Sequence, residues 1–332
     1  MRIATYNVEW FSNLFDADGT LLADNEWSAR HDVTRVQQIE ALGIVFTALD
    51  ADAIMIIEAP DSHSQRDGTK ALETFAGQMG LRANKAIMGF VNDTQQEIAL
   101  LYDPKALTAR HDPIGNPRFD QDYHIDLDVD ADPDKVRWSK PPLELAITSK
   151  QGNSLRMIGV HAKSKAPHGA RTPAQVMRIA IQNRRKQLAQ CIWLRERVDD
   201  HLDAGDMLMV LGDFNDGPGL DEYEELFGRS GVEIVLGDQS EVCLYDPHAM
   251  TAIQRRVGGL LPSSARFWIK DHNRWMQALL DYIMVSPKLR KHASRWRIWH
   301  PFDDPEIAKI PELRDALLTA SDHFPVSVEL DI

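Results

Sequence analysis

Polar side chains that could hold a cation or move a proton follow apolar runs at four places in the sequence. These segments are residues 6–9 (Tyr-Asn-Val-Glu), 56–58 (Ile-Ile-Glu), 211–216 (Leu-Gly-Asp-Phe-Asn-Asp) and 321–323 (Ser-Asp-His). Catalytic groups collect at strand ends in α/β folds, because a rigid sheet holds the loops there. Carboxylate and amide oxygens suit Mg²⁺ or Mn²⁺ better than Zn²⁺. With His161 and His323 as acids, bases or charge stabilisers, the set is typical of phosphoryl chemistry.

Short apolar runs alternate with helical patterns along the whole chain, which predicts an α/β fold. Strands are predicted at 2–6, 53–57, 98–102, 143–148, 155–160, 207–211, 282–285 and 325–330. The apolar spacing across 33–50 predicts an amphipathic helix. Thr172 before Pro173 predicts the start of a helix that runs to about residue 198. Its expected buried side chains are Val176, Ala180, Leu188 and Ile192. Because no Gly/Ser linker or repeat divides these elements, we expect one domain over 1–332.

The charge balance limits what the chain can bind. There are 37 Lys and Arg against 50 Asp and Glu, so the formal net charge of −13 excludes a uniformly basic coat for nucleic acid. The charge is uneven, because 161–195 and 247–300 are rich in Lys and Arg whereas 112–134 is rich in Asp. Two cysteines cannot build a disulfide framework, and no apolar run is long enough to span a membrane. Since the N-terminus lacks a secretory apolar segment, we expect a cytoplasmic protein unless a leader was removed.

The order of the chemical motifs resembles one known superfamily. The matching residues are Asn7, Glu58, His161, Gly212-Asp213-Phe214-Asn215, Leu280-Asp281-Tyr282-Ile283 and Ser321-Asp322-His323. They are similar to the motifs of the endonuclease/exonuclease/phosphatase superfamily, which has the DNase I-like fold. The resemblance covers residues 3–330. It implies a four-layer α/β/β/α sandwich, in which two mixed β-sheets pack face to face with helices outside.

The resemblance also implies a metal site. Glu58 would be the principal ligand, Asn7 would lie beside the metal, and Asp322 would contact a metal or a bound water. The implied cofactor is Mg²⁺, with Mn²⁺ as a substitute. Most relatives carry Gln before the metal-binding Glu, where this chain has Ile57, so we expect the residues that set specificity to differ.

Catalytic roles follow from the same resemblance. Asp213 would orient or deprotonate the attacking water, and Asn215 would hold that water or a phosphate oxygen. His323 would act as a general base or charge stabiliser, oriented by Asp281. His161 would donate to a phosphoryl oxygen. An Asp behind a His fixes the tautomer of the imidazole and favours its cationic form.

The segment after His161 is similar to a bacterial nuclease branch, which carries His-x-Lys-Ser-Lys, a later Arg-x-x-Gln, and Gly-Asp-Phe-Asn. Lysines beside a catalytic His would form a phosphate clamp, whereas a solvated lysine pair is the alternative. The expected substrate-binding residues are Lys163, Ser164, Lys165 and Arg184. Glu97, just before the strand at 98–102, is a candidate to orient His161; a solvated strand end is the alternative.

Two further patterns have competing interpretations. Alternating aspartates at 126–132 resemble a calcium loop, but the sixth position is not Gly and the twelfth is Arg137, so we expect a solvated acidic loop. The second pattern is an aromatic-basic tract that could contact nucleic acid by stacking bases, unless two or three of its tryptophans are core residues. The tract comprises Trp268, Lys270, His272, Arg274, Trp275, Arg295, Trp296, Arg297 and Trp299.

Three functions are compatible with these observations. The first is a Mg²⁺-dependent phosphodiesterase that hydrolyses phosphodiester bonds in DNA or RNA, which the basic segments favour. The second keeps the chemistry but acts on a small nucleotide, a phosphoinositide or a phospholipid, which the net charge of −13 favours. The third is a non-catalytic binding protein that keeps the fold. The expected partner is nucleic acid or another phosphodiester, without stable membrane insertion, and no protein partner can be inferred.

Overall fold

The computed structural model describes residues 1–332 except 93, 95, 126–133, 168, 221–223, 239–241, 255–260 and 270–272. The strands are β1 (Arg2–Asn7), β2 (Ala53–Ala59), β3 (Lys85–Met88), β4 (Glu97–Tyr102), β5 (Leu107–His111), β6 (Tyr123–Ile125), β7 (Asp134–Val136), β8 (Leu143–Ser149), β9 (Ser154–His161), β10 (Leu208–Asp213), β11 (Ala265–Ile269), β12 (Arg274–Ala278), β13 (Asp281–Val285), β14 (Ala293–Ile298) and β15 (Val326–Leu330). The helices are α1 (Arg35–Leu49), α2 (Gly68–Gln78), α3 (Pro173–Asp203), α4 (Gly231–Leu236), α5 (Pro247–Gln254), α6 (Pro287–Arg290) and α7 (Pro311–Ala320). Short 3₁₀ turns lie at Phe11–Leu14, Glu224–Leu226 and Ile307–Lys309.

Two large mixed sheets form the centre of the fold. The first has six strands in the order β14-β15-β1-β2-β4-β3, and the second has five in the order β13-β10-β9-β8-β5. In each sheet the strands that lead to the site form a parallel pair: β1 with β2, and β9 with β10. Two-stranded ribbons, β6–β7 and β11–β12, flank the sheets.

The inner faces of the two sheets pack on each other through an apolar cluster. Alternate residues of each strand point into it, among them Ile3 and Ile57 from the first sheet and Leu211 from the second. The sheets approach closely at Gly159 of β9, because a Cβ there would lie 2.4 Å from the sulfur of Met55 on β2. A larger residue at 159 would therefore collide with the side chains of Met55 and Ile98 from the first sheet.

Helices cover both outer faces. The first sheet packs against α1, α2 and α7, and the second against α3, α4 and α5, so the order of layers is helix, sheet, sheet, helix. Thr34 caps α1 in a reciprocal capping box with Gln37, which satisfies backbone donors at the helix start. This architecture confirms the predicted four-layer α/β/β/α sandwich.

Most predicted elements are confirmed, and the differences have physical causes. The predicted helix at 33–50 is α1, and α3 begins at Pro173 as predicted but continues to Asp203. The prediction that Val176 is buried was wrong: the buried side chains of α3 begin at Arg184, and Val176 is 40% exposed. Leu188 is buried as predicted. Within the described ranges, no helix combines the length and apolar composition that a membrane crossing needs.

Candidate active site

The first group of site residues lies at the ends of the parallel strands β1 and β2. Asn7 is the last residue of β1, and its neighbour across the ladder is Ile57, next to Glu58. Glu58 has a φ of 62°, and the β2–β4 ladder shifts register at this residue. Such a bulge re-aims a side chain. The backbone N–H of Trp10 donates to Glu58 Oε2 at 3.0 Å, and that of Glu9 donates to Asn7 Oδ1 at 3.1 Å.

The second sheet brings three chemical residues side by side. His161 on β9 pairs in register with Asp213 on β10, which pairs in register with Asp281 on β13. Gly212 precedes Asp213 with a φ of 137°, and a Cβ there would lie 2.1 Å from the carbonyl oxygen of Val160. The glycine of the Gly-Asp-Phe-Asn motif is therefore required by the close packing of β9 and β10.

Asp213 is at the centre of the site and is 1% exposed. Its Oδ2 accepts from the side-chain amides of Asn7 and Asn215, each at 3.1 Å, and its Oδ1 accepts from the Asn215 backbone at 2.7 Å. The Nε2 atoms of His161 and His323 lie 3.7 and 4.0 Å from Oδ2. Burial raises the pKa of Asp213 to about 7, which the nearby His323 opposes. The carboxyl group can therefore exchange a proton near neutral pH.

His323 and Asp281 form a buried pair. His323 Nδ1 donates to Asp281 Oδ2 at 2.8 Å, and Ser264 Oγ donates to the same oxygen at 2.8 Å. Burial by itself lowers the pKa of His323, but the charges of Asp281 and Asp213 outweigh it and raise the pKa well above its usual value. The imidazolium is therefore the favoured form of His323.

His161 has the opposite electrostatic environment. It is 4% exposed, and burial, together with the charges of Lys140 and His323, holds its pKa well below the usual value. Lys140 Nζ lies 3.1 Å from His161 Nε2, and because an ammonium group can only donate, Nε2 accepts. The predicted orientation of His161 by Glu97 is wrong: Glu97 accepts from the Asn92 side chain at 2.7 Å, and His161 Nδ1 has no hydrogen-bond partner.

Sequence reasoning missed Lys140. It lies between β7 and β8, outside any recognised motif, and tertiary folding alone carries it to His161. Burial lowers its pKa, while the charges of Glu58 and Asp213 raise it. We find no signal in the sequence that distinguishes Lys140 from the other lysines.

The proposed metal ligands offer oxygen donors. Glu58 uses Oε2 for the Trp10 N–H, and within the described residues its Oε1 has no hydrogen-bond partner. The backbone N–H of Asp322 donates to Glu9 Oε2 at 3.1 Å, and Arg30 pairs with Glu9. Burial and the Asp322 charge raise the pKa of Glu9 to about 7. Such a set, with carboxylate and amide oxygens, fits the ligand preference of Mg²⁺.

A second group of side chains has ligand atoms close enough together to hold a cation. Ligand atoms of Asp213, Asp281 and His323 all lie within 4.8 Å of one another. The hydrogen bond between His323 Nδ1 and Asp281 already uses one atom of each. These three groups therefore suit proton transfer and charge stabilisation better than metal binding.

The loop after β9 lies against α3. The backbone N–H of Lys163 donates to Gln190 Oε1 at 2.9 Å, and its carbonyl accepts from Gln187 Nε2 at 2.8 Å. Lys165 pairs with Asp216, and Arg184, 1% exposed, lies 3.4 Å from the same carboxylate. Lys165 and Arg184 thus support the loop that carries Asp213, and their contact with substrate stays a prediction.

One cleft of about 950 Å³ collects these groups. It is lined by every predicted site residue except Asp281, which lies behind His323: Asn7, Glu58, His161, Lys163, Ser164, Lys165, Arg184, Asp213, Asn215, Asp322 and His323. Lys140 also lines it. The cleft therefore brings together residues from both sheets and from the loop before β15.

The ribbon β11–β12 forms one wall of the cleft. Phe267 and Met276 face the cleft, whereas Trp268 and Trp275 are exposed, with ring centroids 5.4 Å apart. Trp299 is 5% exposed and is a core residue. Lys270, His272 and the acidic segment 126–132 lie outside the described residues. Nucleic-acid contact by the aromatic-basic tract stays a prediction.

Solved structures share the fold across the whole chain. An endonuclease/exonuclease/phosphatase family protein from Bacteroides thetaiotaomicron is 17% identical with a TM-score of 0.53, and the match covers 100% of this chain and 98% of that one. A mannosyl-6-phosphatase from the same organism is 16% identical with a TM-score of 0.52, covering 100% of both chains. A 3′ phosphatase from Neisseria, solved with a product DNA hairpin, is 18% identical with a TM-score of 0.50, covering 100% of both chains.

Sequence comparison places the chain in a family. No protein with a curated description matches the sequence. The sequence model described as "Endonuclease/Exonuclease/phosphatase family" matches residues 4–323, which include all twelve predicted site residues. The chain belongs to the endonuclease/exonuclease/phosphatase family, whose members hydrolyse phosphoesters.

Proposed function

We propose that this protein is a Mg²⁺-dependent phosphodiesterase that hydrolyses phosphodiester bonds in nucleic acid. The observation that carries the proposal is the convergence of Glu58, Asp213 and His323 in one cleft, although they are far apart in the sequence. A scaffold without catalytic activity would not need a buried carboxyl group whose pKa is near 7 beside a buried imidazolium.

Glu58, Asn7 and Asp322 would hold the cation. When bound there, Mg²⁺, or Mn²⁺ in its place, would neutralise charge on the phosphate. The backbone N–H groups of Trp10 and Glu9 orient Glu58 and Asn7, so two of the three ligands are positioned by the chain itself. Metal binding by these residues is the part of the proposal that calorimetry tests directly.

Asp213 would accept the proton of the attacking water. The two amide groups of Asn7 and Asn215 fix its carboxylate, so one orientation is kept throughout the reaction. The water oxygen bonds to phosphorus, its proton passes to Asp213, and the bond from phosphorus to the leaving oxygen breaks. The cationic His323, held by Asp281, would stabilise the charge that develops on the phosphate and its leaving oxygen.

The direct test is metal-dependent cleavage of single- and double-stranded DNA and RNA by the purified protein. We expect cleavage with Mg²⁺ or Mn²⁺, and losses of about 10²- to 10⁴-fold in Asp213→Asn and His323→Gln. His124→Gln, on the exposed face of β6, is the control and should retain full activity. Equal cleavage by wild type and both site variants would refute the assignment.

A small phosphoester substrate is the second candidate, because the net charge of −13 opposes binding of a long polyanion. Salt distinguishes the two substrates. Binding through several phosphates weakens steeply as salt rises, whereas binding through one phosphate barely responds. A flat salt dependence of KM, with p-nitrophenyl phosphate cleaved faster than DNA, would favour the small substrate.

A further inference from the structure

Two lysines, Lys140 and Lys163, line the cleft beside the catalytic centre, and a third, Lys186 of α3, lies close enough for its charge to act on Lys163. Lys140 is beside His161, and Lys163 follows two residues after it. Lys186 is one residue before Gln187 of α3, whose side-chain amide holds the Lys163 carbonyl at 2.8 Å. We call Lys140, Lys163 and Lys186 the lysine strip. It begins at the buried histidine and ends at an exposed position on α3.

In the described part of the chain, the ammonium groups of the strip form no direct ion pairs with carboxylates, although the charges of Glu58 and Asp213 act on Lys140. The neighbouring Lys165, by contrast, pairs with Asp216. Burial and, to a smaller extent, the charge of Lys186 lower the pKa of Lys163, and the charge of Lys163 in turn lowers the pKa of Lys140. Like charges held together at a cleft repel one another, so an anion that binds between them lowers the electrostatic energy of the site.

The cleft also contains an apolar patch. It is formed by side chains of the β11–β12 ribbon and of adjacent loops, which pack on one another: Leu220, Phe267, Met276 and Leu280. A ligand in the cleft therefore has both cations and an apolar surface to contact. A nucleotide strand has this pattern, because its phosphates repeat along one edge and its bases lie on the other.

We propose that the lysine strip is a second phosphate subsite, which binds the phosphate adjacent to the scissile one in a single-stranded nucleic acid. This inference rests on the proposed function and specifies its substrate: a strand with at least two successive phosphates. Lys140 is nearest the scissile phosphate, while Lys163 and Lys186 hold its neighbour. The apolar patch packs against the base between the two phosphates.

The test uses thymidine trinucleotides that differ in one charge. One ligand has two phosphates, and two isomers each carry a neutral methylphosphonate at one linkage. Binding is measured by calorimetry with Mg²⁺ in an Asp213→Asn background, which stops cleavage. We expect one isomer to bind about tenfold more weakly because its methylphosphonate removes the charge that faces the strip. Adding Lys163→Gln and Lys186→Gln together should abolish this difference and reduce the slope of log K against log salt concentration by about two.

Lys150→Gln is the matched control, because Lys150 is exposed at the turn before β9, at the opposite end of that strand from His161. The inference is overturned if neither isomer binds more weakly, or if the difference persists in the variant that combines Lys163→Gln with Lys186→Gln. Wild-type cleavage of the all-phosphate trinucleotide is measured in parallel. If the trinucleotide is cleaved but the two isomers bind equally, the phosphate subsite is refuted and the proposed function is not. If the isomers bind differently but the trinucleotide is not cleaved, the proposed function is refuted and the subsite is not.

Discussion

Gln187 joins the two loops that carry the site, and its removal has a calculable cost. Its side-chain amide donates to the carbonyls of Lys163, Phe214 and Asn215 at 2.8, 3.1 and 3.0 Å, and the side chain is fully buried. The NH₂ group has only two N–H bonds to share among the three carbonyls, so at about 1 kcal/mol each the lost hydrogen bonds cost about 2 kcal/mol together. Oε1 of Gln187 is buried without a hydrogen-bond partner, so removing that atom stabilises the protein by about 1 kcal/mol. Gln187→Leu should therefore lower the free energy of unfolding by about 1 kcal/mol.

The assay is urea-induced unfolding of wild type and variant, with kcat/KM measured on the folded proteins. We expect a reduction in kcat/KM of about tenfold, because Lys163 and Asn215 lose their common anchor. Gln182→Leu, at an exposed position on the same helix, controls for the change of residue type and should shift stability by less than about 0.5 kcal/mol. If Gln187→Leu and Gln182→Leu had the same unfolding free energy, our account of how the loops are held would be refuted.

Three further predictions follow from the site. Asp281→Asn removes the charge that raises the pKa of His323, so the alkaline limb of the kcat/KM profile should move to lower pH; an unmoved limb contradicts the pairing. Glu58→Gln should weaken Mg²⁺ binding by more than about 100-fold in calorimetry, and unchanged affinity contradicts its role as ligand. Burial raises the pKa of Glu97 from 4.5 to about 7, so the folded state binds the extra proton in this window. Stability should therefore fall as pH rises from about 5 to 8, by up to about 3 kcal/mol, and denaturant titrations of Glu97→Gln should show a smaller fall.

Much of the fold was predictable because its central strands are strongly apolar. The buried strands β2, β4 and β10 were found this way, since both of their faces pack against other layers. Edge strands such as β3 and β5 were missed, because one of their faces is exposed and their sequences alternate weakly. A search for short apolar runs therefore does not detect such edge strands.

The candidate site was predictable where a motif fixes the backbone. Close packing of β9 and β10 requires a glycine at Gly212, and the buried carboxylate of Asp213 follows it directly. Because the two residues are adjacent in the sequence, the motif shows both. Lys140 has no such local partner, since its contact with His161 spans 21 residues and depends on how β8 packs beside β9. Assigning Glu97 to His161 failed for the opposite reason, because the actual partner of Glu97 is local: Asn92, in the loop just before β4.

The close contact of Met55 with Gly159 has a consequence for how the enzyme would fail on heating. Glu58 belongs to the sheet of Met55, whereas Asp213 belongs to that of Gly159, so the proposed metal ligand and the proposed base are aligned only while the two layers keep their mutual register. Slippage of an ångström there would leave every helix and strand intact and still misdirect the water. Catalytic activity would then respond to a shift between the two sheets that circular dichroism does not detect. On heating, activity would be lost at a lower temperature than secondary structure.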